Sequence, residues 1–345
     1  MIAPDCTFVN PAEIPLSRAL DSSFAVVLTL ALGCSGCHPP AQRTPPPATA
    51  SAKEVALAGA SILIGAGDIA RCDATGDEAT ALIVDSILLA DSVAKVSDAV
   101  FTLGDNAYTS GSTGQWTNCF TPSWGDPQKR IMKNIKPSPG NHEYYTAGAD
   151  PYYKYFGKAA GPAGKGYYSY DIGEWHAVVL NTEIVVNSSF DLPARKEQLD
   201  WLDADLKAST KECTVAYWHH PRFSSGSHGS DVKLGPIWQT LHRYGVDLVL
   251  SGHDHHYERF APMNAEGVLD TLHGIPSFVI GTGGGELRGM RLPLAQNSLK
   301  RVEGHYGVLL LTLGAKEYRS AFISVGGYVW DPSGGKCHGA PAKVP

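Results

Sequence analysis

Five times along this chain an apolar run stops abruptly and gives way to ionisable or amide side chains. In order, the endings are GDIA at 67–70, GDNAY at 104–108, GNHE at 140–143, WHHP at 218–221 and GHDHH at 252–256. Short apolar runs alternating with amphipathic segments read as strands and helices, and that alternation builds an α/β core. The helical segments are 77–92, with apolar positions Ala79, Leu82, Ile83, Ile87 and Leu88, then 194–209 and 234–245. Residues 167–183 read as a hairpin about Gly173, and 307–324 as an antiparallel pair turning at Gly314. Ligands of open α/β sheets bind beyond the carboxyl ends of the strands. The five endings would therefore gather Asp68, Asp105, Tyr108, Asn141, His219, His253 and His255 into one pocket.

Taken singly, each of these residues has an ordinary reading. Asp68 can cap a helix, Asn141 can form a turn, Tyr108 can be a half-buried aromatic, and His219 or His220 can be a hydrogen-bonded core histidine. Gathered together they are harder to explain, because buried polar groups need partners. A metal centre gives all of them one. Asp68, Asp105, Tyr108 and His255 form an oxygen-rich, anionic set suited to a hard, highly charged ion. Asn141, His219 and His253 are neutral and, with Asp105 shared, suit a divalent ion such as zinc, manganese or iron. Two ions bridged by Asp105 would lie about 3.5–4 Å apart.

Charge and composition narrow the function classes. With 28 Lys and Arg against 34 Asp and Glu, the net charge is −6 and no basic stripe offers a nucleic-acid footprint. Residues 1–37 read as an export signal: SSFAVVLTLAL at 22–32 is too short to span a bilayer as a mature helix, and GCSGC follows it. Lipidation at Cys34 or Cys37 and plain secretion are both open, so membrane contact is expected only through an N-terminal lipid anchor. Residues 38–60, rich in Pro and Ala, read as a tether, 61–325 as the catalytic domain and 326–345 as a C-terminal tail. Beyond the signal, Cys72, Cys119, Cys213 and Cys337 remain, and an even count in an exported chain suggests two disulfides with three possible connectivities.

The ordered set GDIA, GDNAY, GNHE, HHP and GHDH, closing on YER, resembles the calcineurin-like metallophosphoesterases over residues 61–325. Tyr108, three residues past Asp105, and YER after the last motif make the chain most similar to the purple acid phosphatases within that superfamily. The resemblance implies a sandwich of two mixed β-sheets flanked by helices, with a dinuclear metal site at the strand carboxyl ends. It implies Asp68, Asp105, Tyr108 and His255 on one ion, Fe(III), and Asp105, Asn141, His219 and His253 on a divalent Fe, Zn or Mn. His220 is left out by the His-any-Pro pattern. It also implies phosphate-contacting roles for His142 and, at an offset of one residue, His228. Arg222, directly after HHP, is within reach of a phosphate oxygen on this reading, or else is a solvated surface cation.

The expected reaction is hydrolysis of a phosphate monoester by a metal-activated water, with His142 or His228 protonating the leaving oxygen. A phosphodiesterase is the nearest alternative. A non-catalytic surface protein that binds phosphate or a glycan is a more distant one, and a redox role for a di-iron centre a third. Cys72 and Cys119 both fall just past strand carboxyl ends, whereas Cys213 precedes its strand. The expected bonds are therefore 72–119 and 213–337. The sequence does not set the oligomeric state.

Overall fold

The computed structural model describes residues 57, 59–91, 98–187, 190 and 192–339. The expected signal, and the tether apart from Leu57, Gly59 and Ala60, lie outside them. Two mixed sheets face each other. The first is ordered β13-β12-β11-β1-β2-β3 and the second β10-β8-β9-β7-β6-β5-β4. The first comprises β1 (Ser61–Ala66), β2 (Asp98–Leu103), β3 (Ile135–Ser138), β11 (Gly307–Leu313), β12 (Glu317–Ser324) and β13 (Val329–Lys336). The second comprises β4 (Tyr168–Ile172), β5 (Trp175–Val179), β6 (Cys213–Tyr217), β7 (Leu248–Ser251), β8 (Tyr257–Met263), β9 (Ile275–Ile280) and β10 (Ser298–Val302). β1, β2 and β3 run parallel, as do β5, β6, β7 and β9.

Period-2 alternation explains the layers. In β5 and β6, Ala177, Val179, Val215 and Tyr217 join Leu63, Phe101 and Leu309 in the core between the sheets. Their neighbours Val178, Ala216 and Trp218 face outward and pack against Leu202, Leu206, Ile237, Trp238 and Leu241. Those five come from helices α2 (Leu192–Ala208) and α3 (Gly235–Arg243). Helix α1 (Gly76–Asp91) buries Ala81, Val84, Ile87 and Leu88, but Leu82, expected on that face, is 59% exposed. A buried face of this helix centred on 80, 81, 84, 87 and 88 leaves position 82 pointing outward.

The first sheet continues past residue 325 into the stretch assigned above to a tail. β13 pairs with β12 from Val329 to Lys336, and Asp331 accepts hydrogen bonds from Tyr257 and from both Nε and Nη2 of Arg259. The Pro-Ser-Gly-Gly run at 332–335 hid this edge strand from a hydrophobicity reading. Disulfides join Cys72 to Cys119, at a Cα separation of 4.7 Å, and Cys213 to Cys337, at 5.4 Å. Two backbone bonds bring the site-bearing turns together: Gly67 N–H to the Ile280 carbonyl (2.8 Å) across the sheets, and Gly252 N–H to the His219 carbonyl (2.9 Å).

Candidate metal centre

Three of the site residues sit where L-amino acids seldom do. Asp68 (φ 59°), Asp105 (φ 48°) and His253 (φ 70°) are left-handed, at about 1–2 kcal/mol each. Each follows a strand end through a glycine, and the reversal turns its side chain back over the end of the sheet. Gly104 itself has φ 77°, and a Cβ there would lie 2.7 Å from the Gly140 backbone and from His219 Nδ1. A Cβ on Gly140 would lie 2.3 Å from Asp105 Oδ1. The glycines of these motifs are therefore spacers of the donor cluster as well as turn formers.

One half of the cluster is acidic. Tyr108 Oη donates to Asp68 Oδ1 (2.8 Å) and lies 3.3 Å from Asp105 Oδ2 and 3.0 Å from His255 Nε2. His255 Nε2 is 3.2 Å from Asp68 Oδ1, and its Nδ1 bonds to the Glu286 carbonyl, which fixes the tautomer and leaves Nε2 as a lone pair. Asp68 Oδ2 accepts from the His253 backbone N–H (2.8 Å) and Asp105 Oδ1 from that of His142 (2.8 Å).

The other half is neutral apart from the shared Asp105. His219 donates through Nδ1 to the Leu103 carbonyl (2.7 Å), so Nε2 faces Asn141 Oδ1 (3.0 Å), Asp105 Oδ2 (3.3 Å) and His253 Nδ1 (3.1 Å). Asn141 turns its Nδ2 outward to Tyr145 Oη (3.0 Å), which leaves Oδ1 inward. The adjacent His220 is held elsewhere, Nδ1 against Thr182 Oγ1 (3.0 Å) and Nε2 near Glu183 (3.4 Å).

This donor set fits two cations. Metal–ligand bonds of about 2.0–2.2 Å put neighbouring ligand atoms roughly 3 Å apart, as they are here. In each half, lone pairs outnumber the hydrogens available between them. Protons fill part of that deficit. Burial opposes charge on His219, but Asp105 and then Asp68 outweigh it and push the imidazole up to about 10. Burial, Asp68 and Asp105 hold the Tyr108 phenol well above its ordinary value. Burial and the neighbouring imidazoles of His220 and His219 hold His253 well below. A cation at either point replaces the protons on His219 and Tyr108, reversing those two preferences, and it reinforces the neutral state of His253. The donor atoms of Asp68, Asp105 and His219 lie within 4.8 Å of one another, as do those of His219, His220 and His253.

Around the cluster stand the remaining residues named from the sequence, and two that were missed. His142 lies with its ring 4.5 Å from that of Tyr108, Nε2 3.8 Å from Asp105 Oδ2 and Nδ1 on the Thr109 carbonyl. His228 lies over His253, ring centroids 4.1 Å apart. The Arg222 guanidinium is engaged away from the cluster, donating to the Ala265 carbonyl (2.8 Å) and covering the Phe223 ring. Glu143 and Asp254 were passed over, although they lie inside the GNHE and GHDHH endings. Glu143 accepts the N–H groups of Asp105 (3.0 Å), Asn106 (2.9 Å), Ala107 (3.3 Å) and Gly140 (2.8 Å). Asp254 accepts His228 N–H (2.8 Å) and Nδ1 (3.1 Å), Gly229 N–H (3.1 Å) and Ser224 Oγ (2.5 Å). The signal that could have found them is a charged residue locked between ligand positions, where solvent cannot reach it.

A family model described as calcineurin-like phosphoesterase matches residues 66–257, which carry every element of this cluster. Acid phosphatase type 7 of Mus musculus is 27% identical over 190 residues, 48% of this chain and 41% of its own length. Purple acid phosphatase 15 of Arabidopsis thaliana is 26% identical over 196 residues, 47% of this chain and 36% of its own. The matches thus span less than half of those relatives. Purple acid phosphatase PPD1 from yellow lupin (Lupinus luteus) seeds shares the fold, with a TM-score of 0.65 and 19% identity over 81% of this chain and 54% of that one.

Proposed function

Because the chain belongs to the calcineurin-like phosphoesterase family, we propose that it is an exported phosphomonoesterase of the purple acid phosphatase kind. The observation that carries this reading is Tyr108 Oη, 2.8 Å from Asp68 and 3.0 Å from His255, completing an anionic donor set beside a neutral one. On this reading Asp68, Asp105, Tyr108 and His255 hold Fe(III), and Asp105, Asn141, His219 and His253 hold a divalent Fe, Zn or Mn. Bound there, the ions supply Lewis acidity and a water of lowered pKa.

The chain's own residues then account for orientation and proton traffic. Tyr108, Asp68 and Asp105 are buried, so bulk water does not compete for their oxygens. His142, with Nδ1 on the Thr109 carbonyl, presents Nε2 toward the cluster, where the ring in its imidazolium form can donate to a phosphoryl oxygen. His228, with Nδ1 on Asp254, turns Nε2 to the mouth of the site, where the ring in its imidazolium form can give a proton to the leaving oxygen. Two disulfides support export to an oxidising compartment, and among the described residues no helix is long and apolar enough to cross a membrane.

The test is hydrolysis of p-nitrophenyl phosphate by the metal-loaded protein, with Asp105→Asn and His253→Ala expected at background. A metal-loaded protein inactive on every phosphoester sinks the proposal. Higher rates on bis-p-nitrophenyl phosphate would replace monoesterase with diesterase. A visible absorption band lost in Tyr108→Phe identifies the phenolate–iron(III) bond.

A further inference from the structure

The chain that follows β9 folds back across the metal centre. Gly285 N–H bonds to the Asp68 carbonyl (2.7 Å), Arg288 N–H to the His255 carbonyl (3.1 Å) and Arg291 N–H to the Ser225 carbonyl (2.8 Å). Arg288 is thereby fixed at the mouth, and its Nη1 lies 3.4 Å from His228 Nε2. Asp254 holds the other nitrogen of that ring, so the free nitrogen of His228 and the guanidinium face each other.

Arg288 has little to neutralise it. Its nearest carboxylate is the exposed Glu286, at 3.8 Å. Three other arginines are compensated: Arg71 is paired twice with Asp73 (2.9 and 2.8 Å), Arg259 twice with Asp331 (2.7 and 2.8 Å), and Arg222 is tied to Ala265. A guanidinium has five N–H donors, and here one long contact to an imidazole nitrogen uses one of them. A guanidinium fixed at the mouth of the site with most of its donors unused by the protein is suited to an anion that takes several of them at once.

The position says which anion. Asp105 lies at the centre of the buried cluster, whereas the His228 side chain is 41% and that of Arg288 36% exposed. Arg288 therefore stands on the way out, beside the part of a substrate that departs. Resting on the phosphohydrolase reading above, we propose that Arg288 is a specificity-determining residue that binds a second phosphate, one carried by the leaving group. Water oxygen bonds to the scissile phosphorus while the bond from that phosphorus to the leaving oxygen breaks. The electron pair stays on the leaving oxygen, and with a phosphate as leaving group Arg288 binds the product anion as it separates.

The experiment compares kcat/KM on pyrophosphate and on p-nitrophenyl phosphate for the metal-loaded wild type, Arg288→Ala, Arg288→Gln and Arg288→Lys. The ratio of the two falls about tenfold or more in the Ala and Gln variants, mainly through KM for pyrophosphate, as loss of a charge-assisted contact predicts. The Lys variant recovers part of the ratio. Inhibition by methylenediphosphonate weakens to the same extent relative to inhibition by orthophosphate, which reports binding without turnover. An equal fall on both substrates puts Arg288 on the scissile phosphate or in the fold and overturns the proposal, as does an unmoved ratio. A wild type inactive on every phosphoester removes the underlying reading; one that cleaves p-nitrophenyl phosphate with an unmoved ratio removes only the role of Arg288.

Discussion

Glu143 and Asp254 are carboxylates with no exposed surface, each built into a strand-end motif and each bracing a loop, but the loops differ. Glu143 takes four backbone N–H groups from the loop that carries Asp105 and from Gly140, beside Asn141. Asp254 braces residues 224–230, which carry none of the seven donors but do carry His228, and it takes a ring nitrogen as well as two backbone N–H groups. Their charges are balanced in opposite ways. Burial and then the like charge of Asp105 raise the pKa of Glu143, yet N–H donors face both its oxygens and leave a proton no acceptor, so the carboxylate is the form that fits. Burial also works against Asp254, but His228 and Ser224 bring it down to about 2. One brace shapes the ligand-bearing turn and the other aims an imidazole.

The largest effect that separates them is expected from Glu143→Gln. Oε1 accepts from Asn106 and Ala107, and Oε2 from Asp105 and Gly140, so whichever oxygen becomes an NH2 confronts two backbone donors. The Asp105 turn must shift. Metal affinity and phosphatase rate should both fall, by about 10–100-fold as for groups that orient ligands. Elemental analysis after dialysis, set beside the rate, checks this. A variant that keeps both ions and full activity removes Glu143 from the comparison.

A smaller and different loss is expected from Asp254→Asn. Its partners belong to the His228 loop, so metal content should stay near the wild-type value while kcat falls roughly 10²-fold, the lower range for general acid–base groups. Phenyl and alkyl phosphates should suffer more than p-nitrophenyl phosphate, because poor leaving groups depend most on a donated proton. Loss of metal equal to that in Glu143→Gln would show that the two braces do the same work. A uniform loss across leaving groups would take the imidazole out of proton transfer.

Six of the seven candidate donors were legible because GDIA, GDNAY, WHHP and GHDHH close apolar runs, and an apolar run tells where a parallel strand ends. The braces were not legible for a related reason. Glu143 and Asp254 lie inside GNHE and GHDHH, but nothing in a one-dimensional pattern says that Glu143 reaches back 37 residues to Asn106, or that Asp254 reaches 26 to His228. Arg288 belongs to no motif, and only the fold of the chain after β9 over His255 brings it to the mouth. Arg222 is the reverse case: its place after HHP suggested either a phosphate contact or a solvated cation, and its guanidinium lies on the Ala265 carbonyl and the Phe223 ring. β13 escaped notice because DPSGG in its middle breaks any apolar alternation, although its backbone pairs with β12 and Asp331 is held by Tyr257 and Arg259.

A third buried carboxylate shows what the braces would be without their donors. Asp77, in the first turn of α1, is 1% exposed, and its Oδ1 has no hydrogen-bond partner among the described residues. Burial pushes it up to about 7, Ser123 working against the shift and Glu78 with it, even though a helix N-terminus favours negative charge. The unfolded group titrates near 3.8, so the folded state holds the proton more tightly. The stability tied to that proton is complete below about pH 4 and is lost as the pH rises through 7. Asp77→Asn keeps the shape and removes the titration. The variant should melt within a degree or so of the wild type at pH 4 and several degrees above it at pH 8, at about 2–4 °C for each kcal/mol in a domain of this size. Asp254→Asn should move the other way at both pH values, since it strips donors of their acceptor. A difference for Asp77→Asn that does not change with pH would mean that the carboxyl is already charged in acid, and that a buried carboxylate can do without the donors that Glu143 and Asp254 collect.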